Sequence, residues 1–178
     1  MIEHLSGSSM NTFENNIHEF YTRYVLWEEP EYFPSQVEAM DYWKNYEIAL
    51  GKKLWDKRDT QKVIEENIWG FIMYGLLDFY NEEEKKVIEC KTKSWEWKEK
   101  DIHESWQFRY YNWWCNKNWY EFILHQFNKK TWETKVDKIN WVDAFFETKF
   151  IEKAHQIKRF LGEYDVVLKY EFDLKNDI

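Results

Sequence analysis

The chain has 178 residues, enough for one globular domain with a buried core, and 44% of them are hydrophobic. Its 5 glycines and 2 prolines argue against collagen-like, linker-like and turn-dense all-β structures. The 33 acidic side chains outnumber 25 scattered basic ones, so the net charge is −8. Because proteins that bind phosphate backbones need clustered Lys and Arg, this composition disfavours direct nucleic-acid binding. It favours a basic protein partner.

Cysteine usage and hydropathy predict a cytoplasmic protein. The two cysteines, Cys90 and Cys115, are too few for a disulfide framework and too isolated for a zinc site. No apolar stretch is long enough to span a membrane, and the first residues lack the pattern of a secretory signal. We interpret residues 1–10 as a cloning leader or a disordered N-terminus, and residues 11–178 as a single globular domain.

Apolar residues at helical spacing predict the first helices. Thr12 caps a helix in which apolar residues recur every three or four positions up to Trp27. Two prolines then break the helix, and a capping box over residues 35–38 opens a second one. A third helix begins near residue 60. It is apolar on every side over residues 68–77, which is typical of the centre of a bundle.

Residues 86–99 are ambiguous, because strand-like alternation there follows a charged run that favours a helix. Helical spacing returns from Trp106 to Phe127, and Thr131 caps a last helix that ends at Gly162.

The tail changes period. Apolar and polar residues alternate over residues 165–174, which predicts a half-buried C-terminal strand. A lone strand needs a partner for its backbone groups. Residues 86–98 supply that partner, or a second chain does so in a homodimer. The elements together predict a mostly α protein, a bundle of five or so helices with an aromatic-rich core and a small β element.

The aromatic content is the most distinctive feature: 12 Trp, 12 Tyr and 13 Phe. Much of the core must therefore consist of rings. Four tryptophans fall off the main helical stripes or alternate with a neighbour, and a tryptophan left at the surface is typical of an interface anchor. They are Trp95, Trp97, Trp114 and Trp119. They predict a protein-binding surface or a groove for an apolar ligand.

Two acidic clusters suit docking onto a basic surface, and the first stands beside aromatic rings on a proline-rich loop. With the four tryptophans above, the predicted partner-binding residues are Glu28, Glu29, Glu31, Tyr32, Phe33, Glu82, Glu83 and Glu84.

Catalytic and metal motifs are weak. The sequence has no nucleophile elbow and no glycine-rich phosphate loop. Glu152 and His155 have a spacing that places both on one helix face, and Glu121 with His125 could join them. A di-metal bundle needs two such Glu-x-x-His pairs, and the chain has one. We therefore predict no catalytic residue, no bound metal and no cofactor.

The leading functional hypothesis is a non-enzymatic binding protein: a small acidic inhibitor, of the immunity or anti-defence type, that occludes a basic surface of its partner. One alternative is a helical module that binds an apolar ligand or lipid in a Trp-rich groove. A further alternative is a metal-dependent hydrolase.

Overall fold

The computed structural model describes residues 4–28, 31–54, 61–93, 98–128, 130–131 and 133–176. Over these ranges the chain forms an α/β fold with two mixed sheets. The helices are α1 (Gly7–Asn15), α2 (Ile17–Tyr24), α3 (Pro34–Leu54), α4 (Glu99–Glu104), α5 (Trp106–Lys117) and α6 (Phe146–Asn176). The strands are β1 (His4–Ser6), β2 (Lys62–Ile68), β3 (Phe71–Leu77), β4 (Phe79–Asn81), β5 (Lys86–Lys93), β6 (Glu121–Asn128) and β7 (Thr134–Ile139).

The first sheet has the strand order β1-β3-β2, with β1 parallel and β2 antiparallel to the central β3. A hairpin joins β2 to β3. Ile68 pairs with Phe71, so only Trp69 and Gly70 form the turn. Both turn residues have a positive φ, 54° and 91°, as a two-residue type I′ turn requires.

The second sheet has the order β4-β5-β6-β7. Its central strands β5 and β6 are parallel, and the two edge strands are antiparallel to them. Parallel neighbours need a long crossover, which α4 and α5 supply. Asp78 alone separates β3 from β4, so the chain passes from the first sheet to the second at this residue.

Aromatic rings fill much of the core around α5. The hydroxyl of Tyr110 donates to the main-chain oxygen of Met73 at 2.9 Å, which ties α5 to the first sheet. Phe146, at the start of α6, lies with its ring centroid 5.2 Å from that of Trp113 and packs against Phe150.

The predicted five-helix bundle is wrong. The segment predicted as a helix apolar on every side is the β2–β3 hairpin, because a short apolar run fits a buried strand as well as a buried helix. The helix predicted from Trp106 to Phe127 ends at Lys117, and residues 121–128 form β6 after a short turn. Within the ambiguous segment 86–99, residues 86–93 form strand β5, residues 94–97 lie outside the described residues, and α4 begins at Glu99. Residues 134–139, predicted as helix, form β7.

The predicted C-terminal strand over residues 165–174 is also wrong, since α6 continues through this segment to Asn176. Val166, Tyr170 and Leu174 stand four residues apart, so the residues that alternate like a strand also fit a helical period. The homodimer that this strand would have formed loses its basis. Although α6 has 31 residues, neither it nor another helix of the described ranges is long and apolar enough to cross a bilayer.

Residues 4–10, predicted as part of a cloning leader or a disordered N-terminus, belong to the fold. β1 pairs with β3, and Leu5 and Met10 are buried in the core. The side chains of Ser6 and Ser9 form a capping box at the start of α1. The helix predicted from Thr12 to Trp27 is divided into α1 and α2, because extended Asn16 ends the first and caps the second.

Candidate functional site

Asp78 lies at the bend where the chain leaves β3 for β4, and its side chain is buried. The apolar strand before it, Phe71–Leu77, carries the chain into the interior. The main-chain N–H of Cys90 donates to Oδ2 of Asp78 at 2.8 Å. This bond fixes the carboxylate against β5.

Glu89 lies on β5 beside this bond and is only 1% exposed. Alternation along the strand places Val87, Glu89 and Lys91 on one face and Ile88 and Cys90 on the other. Oε1 of Glu89 accepts a hydrogen bond from the ammonium of Lys91. Oε2 is buried and has no hydrogen-bond partner. A buried carboxylate oxygen without a donor is costly, and it is available to a ligand that carries a positive charge.

The two carboxyl groups and Lys91 also change each other's pKa values. Burial raises the pKa of Glu89 to about 8; the charge of Asp78 adds to the rise and that of Lys91 opposes it. Burial likewise raises the pKa of Asp78. Burial works against the charged form of Lys91, but the charges of Glu89 and Asp78 outweigh it and raise the pKa of its ammonium. The two carboxyl groups are close enough to oppose each other's ionisation.

Tyr111 of α5 lies close to the two carboxyl groups, and Gln107 on the same helix holds its hydroxyl. The Tyr111 hydroxyl donates to the main-chain oxygen of Leu76 at 2.8 Å and accepts from Nε2 of Gln107 at 3.2 Å. Burial, followed by the charge of Glu89, raises the pKa of Tyr111 well above its usual range. A Cβ on Gly75 would lie 2.4 Å from Cε1 of Tyr111. Only glycine therefore lets the ring lie this close to β3.

The carboxylate pair fits a divalent cation of the magnesium type. Mg²⁺ is usually held by one or two carboxylates and completes its coordination with water and substrate phosphate. Asp78 and Glu89 supply two carboxyl groups, and Oε2 of Glu89, which accepts no bond from an N–H donor, is available as a ligand atom. Within the described ranges, no group of three or more His, Cys, Asp and Glu side chains could hold a metal. A closed zinc site, which needs four protein ligands, does not fit.

Comparison with solved structures reveals two proteins of similar fold. One, described as SSO0001, has a TM-score of 0.56 at 15% identity, and the match covers 86% of this chain and 76% of the other. The second is described as a putative exonuclease from Eubacterium rectale. Its TM-score is 0.57 at 10% identity, with 89% of this chain and 80% of that chain covered. At these identities the likeness is one of fold. No protein-family profile and no curated protein matches the sequence.

The first predicted partner-binding cluster lies at the surface on both sides of a gap in the described ranges. Glu28 and Glu31 are exposed, and Glu29 lies outside the described residues. Beside them, Tyr32 is exposed and Phe33 is 74% exposed, which is unusual for an apolar ring.

The second predicted cluster, Glu82, Glu83 and Glu84, occupies the exposed turn between β4 and β5. Lys85 lies 3.9 Å from Glu82, and Lys86 lies 3.0 Å from Glu84. These two lysines neutralise part of the acidic charge that was predicted to bind a basic partner.

The four tryptophans predicted to bind a partner differ in their exposure. Trp119 is highly exposed after α5, whereas Trp114 is buried against Tyr120. Trp95 and Trp97 lie outside the described residues. The groove for an apolar ligand or lipid stays a prediction.

The predicted metal candidates lie on different elements and form no cluster within the described ranges. Glu121 and His125 lie on strand β6, where Glu121 pairs with Lys138 at 2.7 Å. His125 is aligned with Cys90, on the face of the sheet opposite Glu89. Glu152 and His155 are exposed on α6.

Asp78, Glu89 and Lys91 are absent from the predicted site residues, although the sequence carries a signal for them. Asp78 directly follows the ten-residue apolar run 68–77. In the following strand-like segment, Glu89 and Lys91 occupy alternate positions continuous with Val87. Charged residues on the apolar face of a strand are unusual, and this is the pattern of a buried ionic site.

Proposed function

We propose that this protein is a metal-dependent hydrolase that cleaves phosphodiester bonds in nucleic acid. The observation that carries the proposal is the buried group of Asp78, Glu89 and Lys91, in which two carboxylates face each other and one oxygen has no partner. The broad class was one of the alternatives drawn from the sequence, but the residues are different.

The chemistry of the group supports phosphodiester cleavage in particular. Asp78 and Glu89 would hold a divalent cation, which polarises a phosphoryl oxygen and lowers the pKa of bound water when present. The Lys91 ammonium remains beside the carboxylates as a fixed positive charge, suited to the negative charge that develops on a phosphoryl group. Tyr111 is held near the carboxyl groups by its bonds to Gln107 and to β3.

One fold relative, the putative exonuclease from Eubacterium rectale, points to the same substrate class. The scattered bases of the chain do not preclude such a substrate. They indicate that binding does not depend on a large basic patch, so its salt dependence should be shallow.

The test is cleavage of end-labelled DNA and RNA oligonucleotides, single- and double-stranded, with Mg²⁺ or Mn²⁺ and with EDTA. We expect cleavage that EDTA abolishes. Asp78→Asn, Glu89→Gln and Lys91→Met should each reduce the rate by about 100-fold or more. Glu65→Gln is the matched control, because Glu65 is an exposed carboxylate on β2 and should leave the rate unchanged. Absence of cleavage of every substrate, or unchanged cleavage by Glu89→Gln, would overturn the proposal.

A second candidate is the acidic binding protein proposed from the sequence, which the exposed ring of Phe33 beside Glu31 supports. Occlusion of a basic partner through this loop predicts that Glu28→Lys with Glu31→Lys slows association strongly. Unchanged association with a captured partner would remove this candidate.

A further inference from the structure

The turn between β2 and β3 contains an unexpected residue. Trp69 occupies the first central position of a two-residue turn with φ 54°. Such positions favour Asn or Gly, because bulky side chains avoid left-handed backbone. The hairpin would therefore be more stable with another residue, and folding does not explain the tryptophan.

Exposure adds a second cost. Trp69 is 81% exposed, and a large ring in water is typical of a residue that contacts a ligand. Trp27 is a natural comparison, because it is 83% exposed with φ 59°. Of these two tryptophans, Trp69 alone lines the cavity between the hairpin, α5 and the start of α6.

The side chain of Trp69 lines an open cavity of about 230 Å³ between the hairpin, α5 and the start of α6. A second indole in the lining is Trp113, which stacks on Tyr110 with ring centroids 6.1 Å apart. Three polar side chains complete the lining together with Ile68; they are Asn67, Lys117 and Glu147. We call this cavity the Trp69 pocket.

The lining selects the class of ligand. The volume lies below the range of about 300–1,000 Å³ typical of small-molecule sites, so one planar ring fits better than a larger molecule. Lys117 already lies 2.7 Å from Glu66, and Glu147 adds a second carboxylate. The pocket therefore disfavours a phosphate group. It offers aromatic faces together with hydrogen-bond donors and acceptors, which suits a neutral heterocycle.

We propose that the Trp69 pocket binds one unpaired base of a nucleic-acid strand, stacked on Trp69. The proposal rests on the proposed function, and it adds a binding site remote from the carboxylates. Residues 71–78 rise about 3.3 Å each, so the pocket lies on the order of 20 Å from Asp78. A strand that reaches both places must continue for several nucleotides beyond the cleaved bond. Stacking on an aromatic side chain would add affinity that does not depend on basic residues.

The experiment measures binding with cleavage disabled. In the full-length Asp78→Asn chain, the Kd for a fluorescein-labelled single-stranded oligothymidylate is measured by anisotropy. Added Trp69→Asn should weaken binding by about 5- to 150-fold, the loss of one stacked base. Added Trp69→Phe should retain most of the affinity. Trp27→Ala is the matched control and should leave Kd unchanged.

Stability separates a ligand-binding role from a structural one. Because Asn suits the turn better than Trp, Trp69→Asn should raise Tm by about 2–4 °C while it weakens binding. An unchanged Kd in Trp69→Asn would overturn the proposal. So would a requirement for Trp69 only in binding a protein partner.

Failure of the proposed function would be visible separately. If the unmodified chain cleaves no oligonucleotide, the proposed function fails, while the Kd values still decide whether the pocket binds a base. If the chain cleaves and Trp69→Asn has an unchanged KM for long single strands, the pocket proposal alone fails.

Discussion

The main-chain N–H of Cys90 donates to Oδ2 of Asp78 at 2.8 Å, and this bond joins the bend after β3 to β5. It brings two buried carboxylates together, since Glu89 precedes Cys90. Proteins seldom bury two acidic side chains next to each other unless the pair has a function, because the arrangement costs folding free energy.

Asp78→Asn should therefore leave the metal-free protein as stable as before, or more stable by about 1 kcal/mol. The amide oxygen of Asn can still accept from Cys90, and the repulsion with Glu89 is removed. The measurement is the free energy of unfolding in urea with EDTA. A decrease of more than about 1 kcal/mol in the free energy of unfolding would show that Asp78 stabilises the fold.

Asp143→Asn provides the opposite case, because Asp143 has cationic partners. Its Oδ2 accepts from the Arg109 guanidinium at 2.7 Å, and both side chains are almost fully buried. Lys149 is a second cationic partner, and its ammonium donates to Oδ2 at 3.1 Å. The substitution leaves Arg109 without its counter-charge and should cost about 3 kcal/mol at neutral pH.

The stability that Asp143 provides should depend on pH. Burial opposes its charged form, but the bonds from Arg109 and Lys149 outweigh this and lower the pKa of Asp143. Unfolded Asp titrates near 3.9. The contribution is therefore fully present above about pH 4 and is lost as pH falls through the lower folded value. The difference in unfolding free energy between the wild type and Asp143→Asn should shrink from pH 6 to pH 3. A constant difference would contradict this assignment.

Gly7→Ala should disturb the site from a distance. A Cβ on Gly7 would lie 2.4 Å from Cα of Gln107, a backbone atom that cannot move without α5. We expect a loss of about 1–3 kcal/mol in unfolding free energy and a fall in cleavage rate, because α5 positions Gln107 and Tyr111. Gly162→Ala is the control, since its Cβ would meet nothing within 4 Å. Equal stability of the two variants would contradict the close packing of α1 on α5.

A segment could be predicted where its sequence fits only one kind of secondary structure. The helix over residues 35–54 could be predicted because two prolines end the preceding helix and residues 35–38 have the sequence pattern of a capping box. The run 68–77 could not be assigned, because an apolar segment of this length satisfies both a buried strand and a buried helix. The tail at 165–174 fits both periods, and its continuity with α6 decides in favour of the helix.

The site was missed for a related reason. Glu89 and Lys91 stand in a segment whose structure was ambiguous, so their faces could not be assigned. Asp78 follows a segment that was predicted as a helix. Nothing in that prediction placed its side chain near Glu89. The register that brings them together arises from the β3–β4 bend and the hydrogen bond from Cys90, which are tertiary features.

The most direct test of the carboxylate site is a calorimetric titration of Mn²⁺ into the metal-free wild type and the Asp78→Asn chain. We predict one binding site in the wild type and its loss in the variant, because two carboxylates are needed to hold the cation. A wild type that binds no Mn²⁺, or a variant that binds it as tightly, would contradict the assignment of Asp78 and Glu89 as metal ligands.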